Sequence, residues 1–539
     1  MEADPTQKVP ARPWALTLLV FAVVAVGLLA DLANLLNFQH YPALRPEVAT
    51  VAAALVLAAA AMAGLHRLAQ PRLAFAFTGL YVALLIDLGS TLNNLVFPIS
   101  AAVIAALAWW NERAVLKLSL AAFLSVLAFQ AFDLLVGAES HAAPRNEARK
   151  LQPEAKANPK LRPIVHLMLD SYIGLEGMSA EDTNFGTLRQ EQERFYLDHG
   201  FQLYPQAYSR HPKTINSLPE FLSYGHARHA TEPRNVQSTV APPLDYFRDL
   251  DRAGYRISAL TPSFVDLCPN QPMTLCRNYN RSDLSALVTS GLSVPDRARI
   301  IGFTLLELSQ FTALLGGTAD LKLAELRGSH ERHLYNRAKL YSLTGLRQLD
   351  AISTDLSTLQ FGEMRFVHLL LPHDPYVLDE HCRLLPEALW IDEHGPAPLH
   401  ERDAAFARQA RCMTNQGLSR LLDQLERTEA GRAAIVIVQG DHGSRAIDAI
   451  PAAGGALPSP REMAVLHSAF FAIRVPGEAA GELQGRFALD ELIGGFAASG
   501  FTAAPHPVAG PAEVWLMDPN WIPTQRIALP LFTQKFPKN

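Results

Sequence analysis

Five apolar runs near the start of the chain constrain its fold more than any other feature. They are Trp14–Leu36, Val48–Leu65, Leu73–Leu88, Leu95–Trp110 and Ala114–Gly137. A helix needs roughly 20 apolar residues to cross a bilayer, so these runs read as membrane spans, the third and fourth being the shortest. A cleaved signal peptide does not explain them, because further apolar runs follow the first. The 539 residues leave room for a large second domain. Charged residues make up only 18% of the chain, with the deficit concentrated at the N-terminus. A net charge of -5 gives no sign of a nucleic-acid partner.

The loops between the runs set an orientation. Lys8 and Arg12 precede the first run, Arg67 and Arg72 separate the second from the third, and Arg113 and Lys117 flank the start of the fifth. The alternate loops carry only Arg45. The positive-inside rule then places the N-terminus in the cytoplasm, and an odd number of spans exports everything after Gly137. Asp31, Asp87 and Asp133 fall near the outward ends of their spans, where carboxylates are costly and face a cavity or a partner, or else sit solvated at the interface. All four cysteines, Cys268, Cys276, Cys382 and Cys412, lie in the exported part. Their even number suggests two disulfides. Three connectivities are open; the local pairing Cys268–Cys276 and Cys382–Cys412 is the expectation, and four buried free thiols the alternative.

The reading divides the chain into a helical membrane domain over 1–137, a linker over 138–162 and an exported domain over 163–539. The linker is rich in Ala, Pro, Lys and Glu with no apolar period. Beyond it, short apolar strands alternate with helical stretches. Strands are expected at Pro163–Leu169, Tyr255–Leu260, Arg365–Leu371, Ala433–Val438 and Ala469–Val475, and helices near Leu188–His199, Leu244–Ala253, Leu321–Ile352 and Ala404–Glu426. This alternation predicts a doubly wound α/β domain.

Five islands carry chemistry: Asp170 in LMLDSY, Thr214 in SRHPKTINSLP, His373 in LLLPHDPY, Asp441-His442 in VQGDHG, and His467 in VLHSAF. Three of them follow expected strands, and in an open α/β sheet ligands gather beyond the carboxyl ends of strands. Asp441-His442 stands between Gly440 and Gly443, which permit a sharp turn close to a ligand. A carboxylate beside an imidazole suits a borderline divalent cation such as zinc or manganese; a capped turn with a solvated histidine is the plainer alternative. Asp170 is a second carboxylate, or else a helix N-cap. Thr214, ahead of an expected helix at Leu218–Ser223, is the candidate nucleophile. A hydroxyl attacks poorly unless activated, and a helix N-terminus favours an anionic phosphate. His373 and His467 could bind a second metal, hold a phosphate oxygen or protonate a leaving group. His467 is expected to precede a strand. His166 and His368 alternate within strands and read as sheet-face or core residues.

This pattern resembles the alkaline phosphatase/sulfatase superfamily. Within it, the chain looks like the membrane-anchored phosphoethanolamine and phosphoglycerol transferases, including lipoteichoic acid synthase-like proteins. The run Thr214-Ile215-Asn216-Ser217-Leu218-Pro219 is similar to their nucleophile segment, and Asp441-His442-Gly443 to their metal pair. The resemblance implies a sulfatase-like catalytic domain and a divalent metal held by Asp170, Thr214, Asp441 and His442. It implies catalytic or substrate-side roles for His373 and His467, with Lys213 and Arg445 as substrate contacts. The implied reaction moves a phosphoethanolamine or phosphoglycerol group from a membrane phospholipid donor to a glycan or lipid acceptor through a phospho-threonine. The implied setting is a bacterial inner membrane with the catalytic domain in the periplasm.

The sequence departs from the family at three points. Asp170 stands where these transferases usually carry Glu. His211 and Glu220 stand near positions where phosphoethanolamine transferases often carry cysteines. Ser217-Leu218-Pro219-Glu220-Phe221 lacks the Arg of the sulfatase C/S-x-P-x-R signature, which argues against sulfate-ester hydrolysis. Two alternatives stay open: a membrane-anchored phosphodiesterase, phosphatase or sulfatase-like hydrolase, and an inactive membrane-tethered binding protein.

Overall fold

The computed structural model describes residues 13–90, 96–136, 147–150, 157–178, 183–226, 239–308, 339–386, 389–393, 397–444, 458–508, 510–517 and 522–529. The chain divides into two compact units, Met1–Pro144 with Leu284–Ala338, and Arg145–Asp283 with Lys339–Asn539.

In the first unit the apolar runs form four helices, α1 (Trp14–Phe38), α2 (Pro46–Leu68), α3 (Pro71–Ser90) and α4 (Val96–Val136). All four are long and apolar enough to cross a membrane. The fourth has 41 residues, about 60 Å at 1.5 Å per residue and twice the hydrocarbon thickness of a bilayer. Its helical geometry breaks at Asn111, with φ -152° and ψ 82°, and Asn111 Oδ1 accepts the amide of Ala114 at 3.1 Å. That is an N-cap, so a new helix starts where the fifth apolar run was expected. The first half of α4 packs against α3: a Cβ on Gly79 would lie 2.3 Å from the Ala101 carbonyl oxygen. The second half meets α1, where Asn37 Nδ2 donates to the Gln130 carbonyl and Gln130 Nε2 to Asn34 Oδ1. Asp31 and Asp87 are buried within this unit rather than solvated; the side chain of Asp133 lies outside the described residues.

Residues 284–308, read from sequence as part of the exported domain, belong to the same compact unit as the four helices. Their helix Val294–Glu307 is tied to α2 by an ion pair from Arg297 Nε to Glu47 Oε1 at 3.0 Å.

The second unit is built on a nine-stranded sheet. Its strands are β1 (Glu147–Lys150), β2 (Ile164–Leu169), β3 (Gln202–Leu203), β4 (Arg256–Pro262), β5 (Leu275–Tyr279), β6 (Glu363–Leu369), β7 (Ile435–Gly440), β8 (Phe471–Arg474) and β9 (Gly481–Glu482). The spatial order is β1-β5-β4-β6-β2-β7-β8-β3-β9. Strands β5, β4, β6, β2 and β7 run parallel, and β1 and β8 are antiparallel to their inner neighbours. Part of the expected linker, Glu147–Lys150, is thus an edge strand.

Successive side chains of a strand face opposite ways, and both faces of this sheet are covered. Val165, Leu167, Leu169, Val436 and Val438 join one apolar core, with residues of the helices Thr183–Asp198, Tyr341–Asp355 and Leu399–Cys412. Ile164, Met168, Ile435 and Ile437 join the other, with residues of Thr214–Leu222, Asp245–Ala253 and Leu489–Ala498. Burial on two sides makes these strands near-continuous apolar runs, each such side chain contributing roughly 1.5–3 kcal/mol. Disulfides join Cys268 to Cys276 and Cys382 to Cys412.

Candidate active site

The three central strands β6, β2 and β7 end side by side, and the polar islands follow their last residues. Asp170 comes directly after β2 and is fully buried. Ser171 behind it has φ 60°, a left-handed conformation uncommon for a residue other than glycine. This turns the chain away just past the carboxylate. Asp441 and His442 follow β7, and both are fully buried. The flanking glycines are required by space: a Cβ on Gly440 would lie 2.3 Å from the Tyr172 carbonyl oxygen, and one on Gly443 1.9 Å from that of Val465.

Thr214 is the first residue of the helix Thr214–Leu222, not part of a preceding loop. The amides of Asn216 and Ser217 both donate to the Lys213 carbonyl, which starts the helix four residues earlier than the expected Leu218. Pro219 lies inside the helix. The amides of Thr214 and Ile215, ahead of Asn216 and Ser217, have no intrahelical acceptor.

These elements bring four side chains together. Thr214 Oγ1 is 3.3 Å from Asp170 Oδ2 and 3.5 Å from His442 Nε2. His442 Nε2 is 3.8 Å from Asp170 Oδ1 and 3.4 Å from Asp441 Oδ2. One ligand atom from each of Asp170, Asp441 and His442 lies within 4.8 Å of the others. Asp441 Oδ1 accepts the amides of Ser171 and His442 at 2.9 and 3.0 Å. Its Oδ2 is buried with no hydrogen-bond partner, which is costly for a carboxylate oxygen. His442 Nδ1 contacts the Gly443 carbonyl at 2.6 Å. That contact assigns the proton to Nδ1 and leaves the Nε2 lone pair facing the carboxylates. Two carboxylate oxygens, an imidazole nitrogen and a hydroxyl make a donor set that fits a divalent cation such as zinc.

The charges agree with this arrangement. Burial alone would raise Asp170, but His373, His368 and His442 around it hold it well below the usual carboxylate range. Burial, reinforced by the charge of Asp170, pushes Asp441 up to about 7. Two carboxylates this close do not both stay ionised without a cation between them.

His373 stands at the rim. Its Nε2 is 3.8 Å from Asp170 Oδ1, and its Nδ1 is 2.9 Å from Asp374 Oδ1. His467 is the last residue of the helix Pro460–His467 and precedes the strand β8, as expected. Its Nδ1 contacts the Ser209 carbonyl at 3.0 Å, its Nε2 is buried without a partner, and burial lowers its pKa to about 4. Lys213 is buried beside Thr214; Arg445 lies outside the described residues. One residue read as sheet-face material belongs to the site: His368 Nε2 is 3.4 Å from Asp170 Oδ2. The available signal was its place one residue before the carboxyl end of β6, a strand adjacent to β2. His166 is core, as read, with Nδ1 3.0 Å from the Tyr246 hydroxyl.

No protein-family model matches the chain, and no curated protein does. Among solved structures, it is similar to the C-terminal periplasmic domain of EcEptC from Escherichia coli, with 12% identity over 72% of this chain and 96% of that one and a TM-score of 0.36. It is similar to the phosphonate monoester hydrolase of Agrobacterium radiobacter, with 12% identity, coverage of 66% and 81%, and a TM-score of 0.39. It is also similar to BT1596, a 2-O GAG sulfatase, with 12% identity, coverage of 64% and 72%, and a TM-score of 0.35.

Proposed function

We propose that the chain is a sulfatase-like, metal-dependent transferase of the alkaline phosphatase/sulfatase superfamily. It moves a phosphoethanolamine or phosphoglycerol group from a membrane phospholipid to a glycan or lipid acceptor. The observation that carries this reading is the Thr214 hydroxyl at a helix N-terminus, within 3.5 Å of both Asp170 and His442. The apolar helices support a lipid donor and, with the distribution of basic residues, a periplasmic catalytic domain on a bacterial inner membrane.

Asp170, Thr214, Asp441 and His442 would hold a divalent cation, zinc or manganese, which when bound supplies Lewis-acid polarisation of a phosphoryl oxygen. The chain's own groups do the rest. The amides of Thr214 and Ile215, at the N-terminus of the helix Thr214–Leu222, are assigned to phosphoryl oxygens. The Thr214 proton points at Asp170 Oδ2. As Oγ1 attacks phosphorus its proton passes to Asp170 Oδ2, the bond from phosphorus to the diacylglycerol oxygen breaks, and that oxygen takes a proton from His373 Nε2. Asp374 stabilises the imidazolium of His373 beforehand. In the second half the acceptor hydroxyl gives its proton to His373, its oxygen bonds to phosphorus, and the Thr214 Oγ1–phosphorus bond breaks as Oγ1 takes its proton back from Asp170. Lys213 and Arg445 are assigned to the substrate.

The test is a peptide mass spectrum of the segment containing Thr214, from protein purified out of membranes, with metal content measured alongside. A phosphoethanolamine or phosphoglycerol adduct on Thr214, absent from Thr214→Ala, is the expected result. A mass gain of phosphate alone would favour the phosphatase reading. An unmodified Thr214 in protein without metal would overturn the enzymatic reading in favour of a tethered binding protein.

A further inference from the structure

One cation near the site has no anionic partner. Arg281 is half-buried, and no described carboxylate lies within ion-pair distance of it. Its neighbour Asp283 is instead engaged by Arg347 at 3.4 Å. The Arg281 guanidinium carbon lies 5.6 Å from the centre of the Tyr341 ring. Tyr341 in turn meets His373 edge-on, with ring centres 5.5 Å apart and planes at 76°. His373 Nε2 is 3.8 Å from Asp170. Guanidinium, phenol and imidazole are thus successive neighbours, and the imidazole is the member that meets Asp170. Stacking on an aromatic face fixes a guanidinium while leaving its N–H groups free to bind an oxyanion in bidentate fashion.

We infer that Arg281, held by Tyr341, is an anion subsite for the acceptor. It would bind a phosphate or carboxylate on the same molecule whose hydroxyl takes the transferred group. This inference rests on the transferase reading above. The reacting phosphoryl group is placed at Thr214, beside Asp170, whereas Arg281 is linked to the site through Tyr341 and His373. An anion at Arg281 is therefore a second anionic group. The guanidinium can lie no farther from the His373 ring than its two ring spacings laid end to end, a distance that a phosphorylated sugar spans. Tyr341 shares an edge with the residue assigned to proton transfer, so an acceptor anchored at Arg281 would bring its hydroxyl to His373. That is positioning rather than chemistry, and it governs which acceptor reacts.

The experiment uses the full chain in detergent, loaded with zinc, with p-nitrophenyl phosphorylethanolamine as donor. Glucose 1-phosphate and glucose are compared as acceptors. Both the transferred product and released nitrophenol are measured. Wild type is expected to prefer glucose 1-phosphate, mainly through a lower acceptor KM. Arg281→Gln is expected to lower that preference about tenfold, the loss of one charge-assisted contact, and Arg281→Lys to restore part of it. Equal use of the two acceptors by wild type, or an undiminished preference in Arg281→Gln, overturns the inference. A loss in Arg281→Gln that is the same for both acceptors assigns Arg281 to the donor and also overturns it. Nitrophenol release without any transfer points to a hydrolase, and no release at all removes the enzymatic reading; in both cases the inference falls with the reading it rests on.

Discussion

His368 Nε2 lies 3.4 Å from Asp170 Oδ2, with both residues fully buried. His368 is thus the outer partner of a carboxylate that also faces Thr214. Groups that hold metal ligands from behind typically contribute 10–100-fold to affinity. His368→Ala is expected to weaken zinc binding by about that factor, and His368→Gln, which keeps an N–H donor, by less. A zinc titration of the purified chain by competition with a chelator dye checks this. Equal affinity in wild type and His368→Ala would return His368 to simple core packing.

Gly443 gives a second prediction. A Cβ there would lie 1.9 Å from the Val465 carbonyl oxygen and 2.8 Å from Leu466 backbone atoms. Backbone cannot rotate away as a side chain can, so Gly443→Ala must displace the turn that carries His442. Overpacking of this kind costs about 1–3 kcal/mol. Expected results are a lower unfolding midpoint and zinc affinity reduced more than tenfold. A variant with wild-type affinity would show that the turn yields without moving the imidazole.

Much of this site was legible in the chain because its determinants are local. Ile164–Leu169 and Ile435–Gly440 are apolar on both faces, and the residues that follow them, Asp170 and Asp441-His442, are the ones that meet. What was not legible depends on partners distant in sequence. The start of the helix at Thr214 is set by the Lys213 carbonyl, four residues before the expected start at Leu218. His368 obeys the two-residue alternation of a buried strand, and only the neighbouring strand end makes it a site residue. Residues 284–308 have no local feature that separates them from the sheet domain; their place in the unit of the four apolar helices is expressed in contacts such as that of Arg297 with Glu47.

The disulfides close loops of different length, with sequence separations of 8 for Cys268–Cys276 and 30 for Cys382–Cys412. In the chain-entropy model these amount to about 2.5 and about 3.6 kcal/mol. Replacing both cysteines of the second pair with Ala should therefore lower stability by about 1 kcal/mol more than replacing the first pair. Cys382–Cys412 also ties the loop after His373 to the helix Leu399–Cys412. Denaturant midpoints of the two double variants decide the order; a larger loss from the Cys268–Cys276 pair would contradict it.

His211 and Glu220 predict opposite pH dependences on either side of the nucleophile. Burial, with smaller contributions from His467, Arg210 and Arg526, lowers His211 to about 3. Burial and then Asp490 raise Glu220 to about 7, against Arg210 and Arg526. Between pH 4.5 and 6.5 the unfolded chain protonates His211 and the folded chain does not, so this residue makes stability fall as pH falls. In the same window the folded chain keeps Glu220 protonated and the unfolded chain does not, so this residue makes stability fall as pH rises. The two slopes, each up to about 1.4 kcal/mol per pH unit, oppose one another in the wild type. Glu220→Gln should leave the His211 slope exposed, with stability relative to wild type gaining as pH rises from 4.5 to 6.5. His211→Asn should show the reverse. Denaturation midpoints at half-unit pH intervals, each referred to wild type at the same pH, read out the sign directly. Parallel profiles for the two variants would show that neither residue changes its protonation on folding.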